Sequence, residues 1–304
     1  MKTYVKSILL AGIIAAVIVF FTVHAVAPTL PRVVGRPAIK ETRSFSWPGS
    51  QRFELVNRDG EVRVWPHSAK EAAVTATVRI YPVERDGGAV ARTYADSLFA
   101  VTAEKDRIRI VSEPGERPDL IDMRVDYDVY VPFGTDLDVV SANGNVLVAV
   151  GCGQVDVQGR NADIYIKKPG GMVTAKTTNG RINVMDAPEG ALLETVNGNI
   201  YAYMQGGAIS ADTTNGAIVA HVPDENVNRA ELNSMNGGIT LVMDERCSAI
   251  VDARTMHGGI RSDFAIDTSS GVQRRHHLRG EIGSGRALLN MQTLNGNIWL
   301  ARGR

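Results

Sequence analysis

Arg274-Arg275-His276-His277-Leu278-Arg279 is the one concentrated run of positive charge in the chain. Its guanidiniums could hold an anionic partner, and His276 with His277 could contribute to a metal site. Adjacent histidines with no Cys, Asp or Glu at ligand spacing are poor metal ligands, so the competing reading is a solvated insertion loop, and no metal or cofactor is expected. The second candidate is aromatic: Tyr165, Tyr201 and Trp299 occupy one position of an internal repeat and could stack on sugar rings or pack against another protein. The alternative is that an N-terminal cap or a twin subunit covers them.

Catalysis has less to stand on. The sequence contains no H-E-x-x-H, G-x-S-x-G, phosphate-binding G-x-x-x-x-G-K-[ST] or calcium-binding loop. A glycan-active enzyme would need carboxylates converging on a groove. The outward acids Asp138, Asp156, Glu194, Asp212, Glu231 and Asp252 are interleaved with Thr174, Lys176 and Ser210, which reads as a solvated sheet face. With 33 basic and 33 acidic residues the net charge is zero, and nucleic acid is not an expected partner.

The elements that position these residues are repeats. Asn-Gly followed by an aliphatic residue occurs at Asn143-Gly144, Asn179-Gly180, Asn197-Gly198, Asn215-Gly216, Asn236-Gly237 and Asn295-Gly296, with His257-Gly258 as a variant. The steps are 36, 18, 18, 21, 21 and 38 residues, and a degenerate copy at Asn161-Ala162 splits the first into 18 and 18. A fixed period of this size means stacked units. Three residues after each Asn stand Val146, Ile164, Ile182, Ile200, Ile218, Ile239, Ile260 and Ile298. Four before stand Val139, Val157, Ala175, Leu193, Ala211, Leu232, Ala253 and Met291. Two strands per period, each alternating at the strand period of two, would share one dry core. Asn and Gly suit the corners because both tolerate positive φ. Hydroxyls two before the Asn, from Ser141 to Thr293, are expected to bond corner backbone groups. Cys152 and Cys247 would lie about five coils apart, beyond the reach of a disulfide.

Before the repeats, residues 1–6 read as a cytoplasmic n-region and residues 7–27 as a transmembrane anchor, or a signal segment if cut after Ala25-Val26-Ala27. Residues 28–44 form a Pro-containing linker. Residues 45–132 read as a β-rich N-terminal cap with one short helix at Ala91–Leu98, and residues 133–304 as the solenoid. The fold class is all-β: a flattened single-chain β-solenoid with that cap and an N-terminal transmembrane helix.

Three passages carry a resemblance. Phe53-Glu-Leu-Val-Asn-Arg-Asp-Gly-Glu-Val-Arg-Val64, Val129 to Gly144 and Gly283 to Ile298 resemble the bacterial "putative adhesin" β-solenoid family, a domain family of unknown function often preceded by a membrane segment. The resemblance implies an envelope β-solenoid and carries over no catalytic residue. The expectation is a non-catalytic, single-pass membrane protein with its C-terminal domain outside the cytoplasm, binding an envelope protein or glycan. The alternatives are a self-associating scaffold, hence a homo-oligomer, or a glycan-active β-helix enzyme.

Overall fold

Alternation of buried and outward residues runs almost without break through the computed structural model, which describes residues 37, 39–48, 51–82, 87–113, 115, 117–119, 121–222 and 227–303. These lie within one compact unit, Arg36–Arg304. The apolar run at 7–27 lies outside the described residues, among which no helix is long and apolar enough to cross a membrane.

In chain order the N-terminal elements are β1 (Ile39–Pro48), β2 (Arg52–Asp59), β3 (Val62–His67), β4 (Glu71–Pro82), α1 (Gly87–Ala95), β5 (Phe99–Ala103), β6 (Arg107–Ser112) and β7 (Ile121–Pro132). Then come β8 (Asp136–Asn143), β9 (Val146–Val148), β10 (Val155–Asn161), β11 (Ile164–Lys167), β12 (Val173–Asn179), β13 (Ile182–Ala187), β14 (Gly190–Asn197), β15 (Ile200–Met204), β16 (Gly207–Asn215) and β17 (Ile218–Val222). The C-terminal part holds β18 (Val227–Asn236), β19 (Ile239–Met243), β20 (Ala249–His257), β21 (Ile260–Ser262), β22 (Asp267–Arg274), β23 (His277–Ile282), β24 (Ala287–Asn295) and β25 (Ile298–Arg302). Among the described residues they form two sheets, of 12 and 13 strands.

Each repeat contributes one strand to each sheet, and successive repeats pair in parallel and in register: Val146, Ile164, Ile182, Ile200, Ile218 and Ile239 lie in single file. All six are buried, and together with Val139, Val157, Ala175, Leu193, Ala211 and Leu232 they form the core between the sheets. Burial of each Val, Leu or Ile contributes about 1.5–3 kcal/mol, so stacking is driven by a face that no repeat can bury alone. Residues 52–67 and 107–132 join this stack: β2 pairs in parallel with β6 and β8, and β3 with β7 and β9. Antiparallel β4 and then β1 cover the outer edge of β7. β1 takes up residues from 39 onward of the expected linker, with Phe45 and Trp47 stacked on its inner face. The helix starts before the expected Ala91 and stops at Ala95, where the Ser97 amide donates to the Tyr94 carbonyl. Ala91, Ala95 and Leu98 are its buried stripe, with Leu98 already past its end.

Rung order departs from sequence order at the C-terminal end. The sequence reading stacks the rungs of Asn236, His257 and Asn295 in that order. The structure instead sets β24 between β18 and β20, and β25 between β19 and β21. The 38-residue step allows this, because the hairpin β22–β23 lies antiparallel on β20 and returns the chain past the rung it has just built.

The corners correct the expected role of Asn. None of the repeat asparagines has positive φ. Their amides instead form a ladder: the Nδ2 of Asn143 donates to Asp59, then Asn161 to Asn143, Asn179 to Asn161, Asn197 to Asn179 and Asn215 to Asn197, each at 2.7 Å. Asn236 donates to Asn215 at 2.9 Å and Asn295 to Asn236 at 2.7 Å. Gly follows Asn because the rungs touch there: a Cβ on Gly198, Gly216 or Gly237 would come well under 3.0 Å from the carbonyl oxygen of the preceding rung's glycine. The hydroxyl column bonds these same carbonyls. Thr195 Oγ1 donates to Gly180 O at 3.1 Å, Thr213 to Gly198 O at 3.0 Å and Thr293 to Gly237 O at 2.8 Å.

Candidate functional site

The first sheet's outer face carries the aromatic column. Tyr165 pairs across strands with Leu147 and Asn183, Asn183 with Tyr201, Tyr201 with Val219, and Val219 with Thr240. Thr240 pairs with Trp299, and Trp299 with Arg261, whose guanidinium lies 5.1 Å from the indole centroid. In chain order Arg261, of the His257 repeat, comes before Trp299, of the Asn295 repeat; the displaced last rung reverses them. At about 4.8 Å per rung, Tyr165 and Tyr201 stand roughly 10 Å apart and Trp299 roughly 14 Å beyond. Tyr201 and Trp299 are 40% and 39% exposed, and no described element covers them.

Two residues on, a second outward column holds Tyr203 and His221, their rings stacked at 4.4 Å and 8°. The sequence analysis missed this pair, although the same parity that selects Tyr201 selects Tyr203. Burial pushes the His221 pKa down, so the imidazole is neutral at pH 7. Its Nδ1 and the Oδ1 of Asn183 have no hydrogen-bond partner among the described residues. Between Tyr165 and Trp299 the face thus offers flat rings and uncharged polar atoms, a surface for stacking and hydrogen bonding, with the paired Arg261 at its end.

The second sheet's outer face carries the acids, tied into local pairs. Lys176 Nζ meets Glu194 Oε1 at 3.0 Å, Arg254 is paired with Asp252, and Glu54 meets Arg107. Asp212 lies in register with Glu194 and accepts from Asn233 Nδ2 at 2.8 Å. Its pKa is raised, first by burial and then by Glu194 and Glu231, so its ionised form opposes folding. A carboxyl held above its unfolded pKa favours the folded state below the unfolded pKa and loses that contribution as pH rises through the folded one. Asp212→Asn keeps the acceptor for Asn233 and should stabilise the chain by about 0.5 kcal/mol at pH 7, the gain vanishing below the carboxylate range. Urea unfolding at pH 7 and at low pH checks it; an equal gain at both would exclude charge as the cause.

The basic run is a β-hairpin tip rather than a loop. Arg274 pairs with His277 across it, Arg275 and His276 form the turn, and His277 Nε2 lies 3.2 Å from Asp252 Oδ1. Arg279 faces Asp252 across the ladder. Arg274 and Arg275 line a cavity of about 460 Å³ with Ile260, Phe264, Ile266 and Leu278. Among the described residues no group of three or more His, Cys, Asp or Glu is placed to hold a metal. Cys152 and Cys247 form no disulfide with each other; burial pushes the Cys152 thiol up to about 12, which leaves it unreactive.

No curated protein is significantly similar in sequence. Among solved structures, a "putative adhesin" from Bacteroides fragilis is similar at 10% identity and a TM-score of 0.46, covering 87% of this chain and 99% of its own. A "putative adhesin" from Parabacteroides distasonis is similar at 9% identity and TM-score 0.42, covering 86% and 97%. A "putative lipid binding protein" from the same species stands at 11% identity and TM-score 0.33, covering 87% and 97%. The sequence itself is decisive: the Toastrack DUF4097 family matches residues 120–301, over half of the chain and all of its in-register rungs from β8 onward, and the protein belongs to that family.

Proposed function

We propose that this protein is a non-catalytic, membrane-anchored envelope protein whose solenoid, held outside the cytoplasm, binds an extended glycan or protein partner along the aromatic face of its first sheet. The observation that carries this is the file of Tyr165, Tyr201 and Trp299, flanked by the stacked Tyr203 and His221, on a face left open by every described element. Rings several rungs apart suit a polymer lying along the stack better than a small molecule, and Tyr and Trp are the residue types that carry most of the energy at binding surfaces. The apolar run at 7–27 supports the anchor.

The test is retention on envelope fractions. Tyr165→Ser with Tyr201→Ser should leave the unfolding midpoint nearly unchanged, since both side chains point outward, and should reduce retention about tenfold or more. Retention unaffected by the double substitution would remove the aromatic face from the account.

A further inference from the structure

We infer that the C-terminal end of the solenoid is a binding site for a single-chain anionic amphiphile, a fatty-acid carboxylate that seats its head on Arg274 and Arg275 and its chain in the cavity behind them. This site is separate from the aromatic face and does not depend on it.

The cavity arises from how the stack ends. Every inward isoleucine up to Ile298 is sealed by the next rung and buried. Ile260 belongs to β21, the edge strand of the first sheet, and is only half-buried. On the second sheet the last parallel strand, β20, is covered by the antiparallel β22–β23 hairpin. One wall of the terminal rung is therefore capped while the other is open, and the core surface between them faces a cavity of about 460 Å³. That size falls within the ~300–1,000 Å³ of small-molecule sites and is too small for a folded partner. Ile260, Phe264, Ile266 and Leu278 supply the apolar part of a lining that is otherwise polar.

The charge at its rim selects the ligand. Three neighbouring arginines are already matched: Arg254 with Asp252, Arg261 with Asp263, and Arg302 through the Asp263 carbonyl and the Phe264 ring. Arg274 and Arg275 line the cavity and have no carboxylate partner among the described residues. Two guanidiniums can bind one carboxylate through several charge-assisted hydrogen bonds. Thr268 and Gln273 add neutral polar groups at the same wall. A bare anion would leave the apolar part of the lining wet, and a neutral chain would leave the guanidiniums unmatched. A carboxylate with an alkyl tail answers both.

The full chain in phosphatidylcholine nanodiscs, dialysed to equilibrium against radiolabelled octanoate with empty nanodiscs as the blank, tests this. Saturable binding near one octanoate per chain is expected, with octanol and inorganic phosphate each about tenfold weaker or more. Arg274→Gln with Arg275→Gln should weaken octanoate about tenfold without moving the unfolding midpoint, because both side chains are exposed. Ile266→Trp, which fills the cavity and leaves the arginines in place, should weaken it similarly. Non-saturable uptake, equal binding by the double variant, or phosphate as tight as octanoate would each overturn the proposal.

Discussion

Gly198→Ala should lower the unfolding free energy by about 3 kcal/mol, at the upper end of what overpacking costs, because the added methyl meets backbone rather than a mobile side chain. Its Cβ would press on the Gly180 carbonyl, which already accepts the Gly198-rung hydroxyl of Thr195 at 3.1 Å. Retreat would stretch the rung-to-rung bond from the Gly180 amide to Asn197 O at 3.0 Å. The chain itself shows how the conflict is solved. Ala162 is the one alanine in the glycine column, and there the hydroxyl position is Gly159, where a Cβ would come 2.8 Å from the Ala162 methyl. The double variant Thr195→Gly with Gly198→Ala copies that corner and should recover part of the loss, a coupling on the order of 1 kcal/mol. Denaturant unfolding of the four proteins in the cycle measures it. A single-variant loss below about 0.5 kcal/mol would mean the rungs have room that the geometry denies.

Arg117→Met should destabilise by about 3–5 kcal/mol, the range for removing one partner from a buried charge cluster. Arg117 donates to Glu113 at 2.6 and 2.7 Å, to Asp59 at 2.5 Å and to Asp122 at 3.0 Å. The Glu113 side chain is 2% exposed, so water cannot replace the lost cation. Burial alone would lower the Arg117 pKa, but Glu113 and Asp59 outweigh it and hold it above the ordinary arginine value, so the cation persists throughout the accessible pH range. Without it, carboxylates face each other, and the deficit should shrink as acid protonates them. Because Asp59 is also the last acceptor of the amide ladder, the loss should extend into the first rungs. Thermal unfolding at pH 7 and pH 4 decides: a deficit independent of pH would point to lost packing alone.

The rungs were legible because a stack repeats its demands. The isoleucine file, the alternating core and the corner hydroxyls each recur at a fixed offset, and the structure pairs them in register. Function-bearing parts were less legible where the period says nothing. Spacing cannot tell which rung lies on which once a 38-residue segment lets the chain double back, so Trp299 and Arg261 were placed in the wrong order. The Asn column was visible but its cause was not: local backbone preference explains Asn and Gly equally well, and only stacked neighbours reveal amide donating to amide. The basic run read as a solvated loop because the hairpin strands Asp267–Arg274 and His277–Ile282 carry only Val272, Leu278 and Ile282 as aliphatic residues, too few to mark a strand pair; its order comes from β20 beneath it.

The rung made by β24 and β25 has a consequence for how the molecule comes together. Its neighbours on both sides, β18–β19 and β20–β21, precede it in the chain, so synthesis delivers the two jaws before the piece they grip. Ile239 and Ile260 occupy equivalent columns, so the jaws are able to close on each other prematurely, and productive assembly requires that embrace to open and admit a latecomer. Such a keystone raises the mean sequence separation of the contacts and makes this end the slow one to mature.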